Sequence, residues 1–428
     1  MLHTCSPVEA RCPMPLAILL SQGDEVVTGQ VVDSNAAWLA ERLTEAGFVV
    51  LEHVAVRDDA GEIADSIRRA AERADLVLCT GGLGPTQDDL TAQAAASVAG
   101  VELALDPVAL EQIKVLYKRY QREMPAVNEK QAWLPQGARR LDNAWGTAPG
   151  FALSIGRGLA VFLPGVPREM KPMYIERVRP LLAEHFAVQP GQLVTLRTVG
   201  VGESNLQERL AGWSEPGVTL AFRTTLPENH VKLRFAGDAP AERVAAVAED
   251  VARRLGSAVF AVELPGQPSR ELASVVGLRL GERGETIATA ESCTGGLIAS
   301  WLTRTPGSSA WFVEGAVTYA NAAKVRTLGV SEADLDAVGA VSEPVARQMA
   351  LGMRQRAGTT WALSTTGIAG PGGGTEDKPV GTVHIALAGP GDVVHHRLVH
   401  LGGDRHRIQA LTAGTALDLL RRQLYEPK

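Results

Sequence analysis

Short apolar segments alternate with segments of helical periodicity along the first third of the chain, and this alternation restricts the fold more than any other feature. Connections between parallel strands must be long enough to hold a helix, and the helical segments meet that need. The order therefore predicts an α/β fold in which helices cover both faces of a parallel sheet. Strands are predicted at residues 15–20, 48–56 and 75–80, and helices at 33–47, at 61–74 and from near Asp88.

The rest of the pattern divides the 428 residues into three predicted domains, as expected when one domain averages about 150 residues. Residues 15–178 hold the alternating elements. Residues 179–264 are predicted to form a small α+β module, and residues 268–428 return to an alternating α/β pattern that ends with a helix from Asp404. The segment 264–270 is rich in proline and glycine and is predicted to be a hinge.

Charge, hydropathy and cysteine content exclude several classes of protein. The 42 Lys and Arg against 48 Asp and Glu give a net charge of −6, without the basic surface of a nucleic-acid binder. No apolar run approaches the roughly 20 residues of a membrane span, and the predicted loose tail 1–14 lacks a secretion signal. Four cysteines, Cys5, Cys12, Cys79 and Cys293, match neither a disulfide scaffold nor a zinc site. We therefore expect a cytoplasmic protein with free thiols that acts on small molecules.

The segment GGLGPTQDD, residues 81–89, follows a buried strand and precedes a helix. Its glycines, Gly81, Gly82 and Gly84, would let the backbone approach a phosphate at the positive end of that helix. Gln87 stands where the dinucleotide fingerprint requires its third glycine, and no P-loop motif occurs in the chain. The segment predicts an anion site, and a simple tight turn is the alternative.

Three acidic residues are predicted to share one edge of the first sheet. Glu25 lies in the loop after the first strand, and Asp88 and Asp89 end the loop 81–89. Both loops leave the carboxyl ends of parallel strands, so these carboxylates can converge on a divalent metal that holds a diphosphate. The alternatives are that the acids are merely solvated or that they stabilise the start of the following helix.

A second candidate site follows the strand that ends at Glu291. Ser292, Cys293 and Thr294 precede two glycines that are predicted to open a helix. A hydroxyl at that position can attack a carbonyl whose developing negative charge meets the helix N–H groups. Ser292 is the favoured nucleophile, with Cys293 and Thr294 as rivals. A plain helix N-cap is the alternative.

The candidate base for this nucleophile is a lysine. None of the nine histidines lies in a recognisable catalytic motif, so Lys324 with a lowered pKa is the predicted activator, with Tyr319 relaying or orienting the proton. The glycine-rich segment 365–374 is predicted either to wrap a nucleotide phosphate or complete the oxyanion site, or to be a flexible lid. The cluster His395, His396 and His400 is predicted to be exposed rather than metal-binding.

Several motifs in order resemble one known family. GDEVVTGQVVDSN, TGGLGPTQDDLT, LPGVPREMKPM and TVGVGES resemble the N-terminal and middle parts of CinA, the competence/damage-inducible family. TAESCTGGLIA, GAVTYANAAK and TTGIAGPGGGTEDKPVGTV are similar to the nicotinamide-nucleotide amidase that also exists as a freestanding enzyme. The resemblance covers about residues 16–425.

The resemblance implies two hydrolytic activities in a homodimer. The first domain would be molybdopterin-binding-like and would hydrolyse ADP-ribose with a divalent metal, the middle module would be KH-like, and the last domain would release ammonia from nicotinamide mononucleotide without a cofactor. Ser292, Lys324, Tyr319 and Thr294 would be catalytic, and Asp88, Asp89 and Glu25 would bind the metal. The substrate-binding residues would be Gly295, Gly296, Thr366, Gly367 and Gly370 in the amidase and Gly81, Gly82, Gly84 and Thr86 in the first domain.

The alternative from another class is a non-catalytic competence-related or molybdopterin-binding factor whose KH-like module contacts nucleic acid. Residues 191–260 hold eight Lys or Arg and eight Asp or Glu. Nucleic-acid binding rests largely on basic contacts to phosphates, so this neutral module argues against that partner.

Overall fold

The computed structural model describes residues 14–425 except 187 and 189. The chain forms two compact units, the first ending at Gly191 and including 236–238, the second made of 192–235 and the residues from Ala239 onwards. The predicted tail, residues 1–14, lies outside the described residues apart from Met14, and so do Cys5 and Cys12. Cys79 and Cys293 are buried free thiols.

The first unit is built around a six-stranded sheet. The strands of this sheet are β1 (Leu16–Gln22), β2 (Val49–Val56), β3 (Leu76–Thr80), β6 (Arg139–Leu141), β7 (Gly150–Ile155) and β8 (Gly158–Leu163). Two further strands, β4 (Leu103–Leu105) and β5 (Trp133–Pro135), form a separate two-stranded sheet. The sheet order is β2-β1-β3-β8-β7-β6, in which β2, β1, β3 and β8 are parallel neighbours and β7 and β6 are antiparallel additions. The predicted α/β fold class is confirmed.

Helices pack on both faces of this sheet, as the apolar spacing predicts. They are α1 (Asp24–Val27), α2 (Ser34–Glu45), α3 (Ala60–Arg73), α4 (Thr91–Ala99), α5 (Pro107–Arg119), α6 (Pro167–Met173) and α7 (Arg179–His185), with a π-helical turn at Tyr174–Val178. The side chain of Asp33 accepts a hydrogen bond from the Ala36 N–H and caps α2. The predicted helix start near Asp88 is wrong, because α4 begins at Thr91 and Leu90 occupies its N-cap position.

The second unit begins with an antiparallel sheet of order β10-β11-β9-β12. Its elements are β9 (Gln192–Val199), α8 (Glu203–Arg209), β10 (Val218–Thr225), β11 (Glu228–Phe235), α9 (Ala241–Leu255) and β12 (Val259–Glu263). Alternate residues of β9 and β11, such as Val194 and Leu233, pack with α9 into one apolar cluster. These elements agree with the predicted small α+β module.

The remainder of the second unit holds a five-stranded sheet of order β14-β13-β15-β16-β17, in which β14, β13 and β15 are parallel and the other neighbours antiparallel. Its strands are β13 (Ile287–Glu291), β14 (Phe312–Val317), β15 (Trp361–Gly367), β16 (Thr382–Ala388) and β17 (Val394–His400). Its helices are α10 (Leu272–Arg283), α11 (Leu297–Thr303), α12 (Asn321–Leu328), α13 (Glu332–Val338), α14 (Glu343–Ala357) and α15 (Arg405–Tyr425).

The last helix joins the two sheets of the second unit. Helix α15 packs on α10, α11, β15 and β16 and also reaches β9. Its Asp418 is fully buried and binds Arg421 and Arg422, and both arginines donate to Ser257 beside β12. The structure thus places the middle module and the C-terminal residues in one unit, and the predicted separate domains 15–178, 179–264 and 268–428 stay a prediction.

Candidate active sites

A cavity of about 700 Å³ lies at the carboxyl ends of the parallel strands β1, β3 and β8 in the first unit. The loop that holds Glu25 and the segment 81–89, both predicted to lie at this edge of the sheet, line the cavity. Its lining includes Gln22, Glu25, Asp58, Gly81, Gly82, Gly84, Thr86, Asp88, Asp89 and Glu169. A polar cavity at this edge is the usual ligand position in open α/β sheets.

The glycine-rich loop 81–89 lines this cavity, and its backbone packs closely against the end of β1. Gly81 has a φ of +102°, and a Cβ atom there would lie 2.5 Å from the carbonyl oxygen of Gln22. The hydroxyl of Thr91 donates to the Gly81 carbonyl at 2.9 Å and ties the loop to α4. Only glycine fits this conformation at Gly81, so the loop shape is fixed before any ligand binds.

The three predicted metal ligands differ in how they are held. Asp89 accepts hydrogen bonds from the Thr86 N–H at 2.8 Å and from the Thr86 hydroxyl at 2.5 Å. Asp88 and Glu25 are exposed on the cavity wall. Leu90 is the N-cap residue of α4, so Asp88 does not cap that helix, and stabilisation of the helix start by the two acids stays an alternative.

These acids do not form a ready-made metal centre. Within the described residues, no three His, Cys, Asp or Glu side chains are grouped so that they could hold a metal ion. Mg²⁺ is commonly bound by one or two carboxylates together with the phosphates of its substrate. Metal binding by Asp88, Asp89 and Glu25 therefore stays a prediction, in which the phosphates of the substrate supply further ligands.

Sequence analysis missed a buried acidic residue of this cavity. Glu169, in α6, is only 8% exposed and lines the cavity. Its carboxylate accepts a hydrogen bond from the Asn143 side chain at 2.9 Å, and burial raises its pKa above the ordinary range. The signal was its place in the segment LPGVPREM, but nothing in the local sequence brings that helix to the loop 81–89.

The second site lies where the parallel strands of the five-stranded sheet end. Glu291 of β13 pairs with Val317 of β14 and with Thr365 of β15, so the residues after these strands meet at one edge. Ser292 follows β13 directly, and Lys324 approaches from α12. Both side chains are buried at this edge.

Ser292 and Lys324 are in direct contact. The Lys324 Nζ lies 3.2 Å from the Ser292 Oγ and also donates to the carbonyl oxygens of Thr318 and Tyr319 at 2.9 and 3.1 Å. Lys324 is only 1% exposed, and this burial lowers its pKa below the ordinary lysine value. A lysine that loses its proton readily, beside a serine hydroxyl, is the arrangement of an activated nucleophile.

The two rival nucleophiles make other contacts. Burial raises the pKa of the Cys293 thiol to about 12, so the reactive thiolate is disfavoured. The Thr294 hydroxyl is hydrogen-bonded to the Thr365 hydroxyl at 2.8 Å. Among the described residues, Ser292 alone of the three has a side-chain hydrogen bond to Lys324, so the geometry favours it.

The Tyr319 hydroxyl is hydrogen-bonded to Arg405 rather than to Lys324. Its side chain is 57% exposed, and its hydroxyl accepts a hydrogen bond of 2.6 Å from the Arg405 guanidinium. Only its backbone carbonyl contacts Lys324. Arg405 also donates to the Gly370 carbonyl at 2.8 Å, so a residue that sequence analysis missed links Tyr319 to the glycine-rich segment.

The two glycines precede a helix as predicted, with Gly296 at its N-cap position, but Ser292 lies five residues before the first residue of that helix. Residues 292–296 form a turn and α11 begins at Leu297. The N–H groups of Gly296, Ile298 and Ala299 donate to the buried Glu291 carboxylate instead of facing a substrate. The start of this helix is therefore already neutralised by the protein itself.

The remaining predicted residues border the same edge. Thr366 donates its hydroxyl to the Ala340 carbonyl, Gly367 ends β15, and Gly370 follows it. Gly295 and Gly296 lie in the turn before α11. Their proposed contacts with substrate stay predictions.

The histidine cluster differs in part from its prediction. His400 is exposed on the edge strand β17, as expected. His396 is largely buried, 3.0 Å from His384 of β16, and burial with its charged neighbours lowers the pKa of His384 to about 4. Neighbouring β-strands place the two rings together, which the sequence of β17 alone does not reveal.

Within the described part of the chain, no helix has the length and hydropathy to cross a membrane.

Comparisons with known proteins match the chain over both units. A sequence model described as CinA C-terminal domain matches residues 269–424, and one described as Probable molybdopterin binding domain matches residues 18–184. A CinA-like protein of Citrifermentans bemidjiense is 46% identical over 413 residues, covering 96% of this chain and 98% of that protein. A CinA-like protein of Anaeromyxobacter sp. strain K is 43% identical over 406 residues, covering 94% of this chain and 98% of that protein.

A solved structure also matches part of the chain. The competence/damage inducible protein CihA from Agrobacterium tumefaciens is 44% identical, and the match covers 36% of this chain and 94% of that one with a TM-score of 0.35.

Proposed function

Because the chain belongs to the family of CinA-like proteins, we propose that it is a bifunctional hydrolase of pyridine-nucleotide recycling. The second unit would convert nicotinamide mononucleotide to nicotinate mononucleotide and ammonia. The first unit would hydrolyse the diphosphate of ADP-ribose. A cytoplasmic homodimer is part of the same proposal.

The contact between Ser292 and Lys324 carries the amidase proposal. Neutral Lys324 takes the hydroxyl proton while the Ser292 Oγ bonds to the carboxamide carbon and the carbonyl π pair moves onto oxygen. When the carbonyl re-forms, the carbon–nitrogen bond breaks and the Lys324 ammonium returns its proton to the leaving nitrogen, giving ammonia and a serine ester. Water then attacks the ester carbon while Lys324 takes a proton from it. The bond from that carbon to the Ser292 Oγ breaks, the Lys324 ammonium returns the proton to Oγ, and the acid product leaves and ionises to the carboxylate.

Tyr319 and the glycines complete the proposed substrate site. The Tyr319 hydroxyl bonds Arg405 and is well placed to orient the substrate beside the dyad rather than to exchange a proton with Lys324. Arg405 adds a guanidinium, which suits the nucleotide phosphate. Gly295, Gly296, Thr366, Gly367 and Gly370 are the proposed backbone and hydroxyl contacts, and Thr294 supports the turn through Thr365.

The 700 Å³ cavity supports the second activity. It combines the close backbone of Gly81, Gly82 and Gly84 with the carboxylates of Glu25, Asp88 and Asp89, which suits a diphosphate accompanied by a divalent cation. Within the described residues the acids alone do not assemble a metal centre, so the phosphates of the substrate would supply the remaining ligands of the cation. Glu169, with its raised pKa, is the candidate group in this cavity for holding a proton.

The decisive experiment is ammonia release from nicotinamide mononucleotide by the purified full chain. Wild type should release ammonia, Ser292→Ala should not, and the control Ser300→Ala, which changes an exposed serine of α11, should match wild type. A wild-type protein that releases neither ammonia from the mononucleotide nor AMP from ADP-ribose would favour the non-catalytic competence or molybdopterin-binding alternative.

A further inference from the structure

The Glu291 carboxylate is buried and accepts hydrogen bonds from the protein backbone. Glu291 is 1% exposed, and its two oxygens accept the N–H groups of Gly296 at 3.0 Å, Ile298 at 3.1 Å and Ala299 at 2.9 Å. A buried carboxylate needs such charge-assisted hydrogen bonds to offset its lost hydration. Three backbone donors therefore hold the residue that immediately precedes Ser292.

The turn between Glu291 and α11 is fastened at several points. The Ser292 N–H donates to the Thr365 carbonyl at 3.0 Å, and the Gln409 side chain donates to the Cys293 carbonyl at 2.8 Å. The Gly295 N–H closes the turn on the Ser292 carbonyl at 3.1 Å. The positions of Ser292 and of the following peptide groups thus depend on where Glu291 holds the start of the helix.

Two backbone N–H groups of this turn are not committed to an oxygen acceptor within the described residues. In the described part of the chain, the N–H groups of Cys293 and Thr294 donate to no carbonyl or carboxylate oxygen, and the Cys293 thiol is the acceptor beside them. N–H groups just after a nucleophile commonly stabilise the negative oxygen of a tetrahedral intermediate. The donors at the helix start cannot do so, because Glu291 occupies them.

We propose that Glu291 is a positioning residue for amide hydrolysis, an inference that rests on the proposed amidase function. Its carboxylate locks the 292–296 turn so that the Ser292 Oγ stays at the Lys324 Nζ and the N–H groups of Cys293 and Thr294 face the negative oxygen. Glutamine in its place has one acceptor oxygen and turns an amide donor toward the backbone N–H groups, so it releases the turn.

The test compares Glu291→Gln with the matched control Glu285→Gln. Glu285 is a buried carboxylate just before β13 that binds Arg283 and the Trp361 indole, away from the turn. For Glu291→Gln we expect kcat for ammonia release to fall about 30-fold or more, with KM changed less than about threefold, since a transition-state interaction is lost. Both variants should lose thermal stability, but Glu285→Gln should keep kcat within about threefold.

Two further measurements keep the proposal falsifiable. Glu291→Asp retains the charge and should recover part of kcat even if the glutamine variant folds poorly. Amide hydrogen exchange at residues 296, 298 and 299 should accelerate in Glu291→Gln and not in Glu285→Gln. An unchanged kcat in Glu291→Gln, or equal losses in both glutamine variants, would overturn the positioning role.

Failure of the proposed function gives a different pattern. If wild type releases no ammonia, the amidase proposal fails. Amide hydrogen exchange then remains as the test of whether Glu291 positions the turn. Accelerated exchange confined to residues 296–299 in Glu291→Gln would then support that positioning, and unchanged exchange would overturn it.

Discussion

The two candidate sites occupy the same kind of place, the carboxyl edge of a sheet with parallel strands, but the folded chain has assembled them to different degrees. In the second unit, Ser292 and Lys324 are buried and already within hydrogen-bond distance. In the first unit, Glu25 and Asp88 are exposed around a wide cavity. A covalent mechanism needs its two groups in contact, whereas a diphosphate site can be completed by the ligand and its cation.

The largest expected effect tests whether the assembled pair acts as a unit. Lys324→Ala should lower kcat for ammonia release by about 10³-fold or more, because the serine loses its base. ADP-ribose hydrolysis should not change. Lys378→Ala is the control, since the Nζ of that lysine donates to the Val338 carbonyl at the end of α13.

The double variant sharpens this prediction. Ser292→Ala with Lys324→Ala should be hardly slower than either single variant, since residues that act together are not additive. Fully multiplicative losses, measured as initial rates of ammonia release, would show that the two residues act separately.

The next largest effect is expected in the cavity of the first unit. Asp89→Asn should lower the rate of AMP release from ADP-ribose by roughly 10²-fold, because it removes a charge from the proposed cation site and alters the Thr86 contacts. Ammonia release should stay at the parental rate. Asp65→Asn, which changes an exposed side chain of α3, is the matched control. Parental AMP release by Asp89→Asn, with the same metal requirement, would restrict this acid to holding the loop.

A smaller effect is expected from pH. The protonated form of Lys324 cannot accept the serine proton, so kcat/KM for ammonia release should fall about tenfold per pH unit below the pKa of this lysine. Burial lowers that pKa, so the midpoint should lie below the ordinary value of about 10.4. Rate profiles between pH 6 and 10 test this, and a profile without any acid limb would argue against lysine as the base.

The smallest effect is expected at the rival nucleophile. Cys293→Ala should retain ammonia release within about threefold, because a buried thiol with a raised pKa takes no part in attack. Loss of activity in this variant while Ser292→Ala stays active would reverse the assignment. Mass spectrometry of the trapped acyl-enzyme would identify which residue carries the ester.

Local sequence predicted elements well where a periodic apolar pattern matched a buried face. The helix predicted at 33–47 is α2, Ser34–Glu45, and the strand predicted at 48–56 is β2, Val49–Val56. The four-residue helix α1 and the strand β12 were missed because segments this short carry little periodicity. The glycines before α11 were predicted correctly, but the role of the helix start was not, because its N–H groups donate to Glu291 of the preceding strand.

The candidate site was predictable only in part for a similar reason. Ser292 and Lys324 stand in motifs that can be recognised from the sequence, although their contact depends on β13 and α12 meeting. Glu169 and Arg405 were missed because their roles come from distant segments of the chain. The orientation of Tyr319 was not predictable either, since its hydroxyl is held by Arg405, 86 residues later.

The position of α15 at the end of the chain affects the order in which the protein can mature on the ribosome. Every strand of the first unit's sheet lies before residue 164, so this sheet can form while the rest is still being synthesised. The second unit must wait for residues 405–425, because α15 covers β15 and β16 and contacts β9. During synthesis, the sheet that supports the first unit's cavity can therefore be complete well before the sheet that supports Ser292 and Lys324.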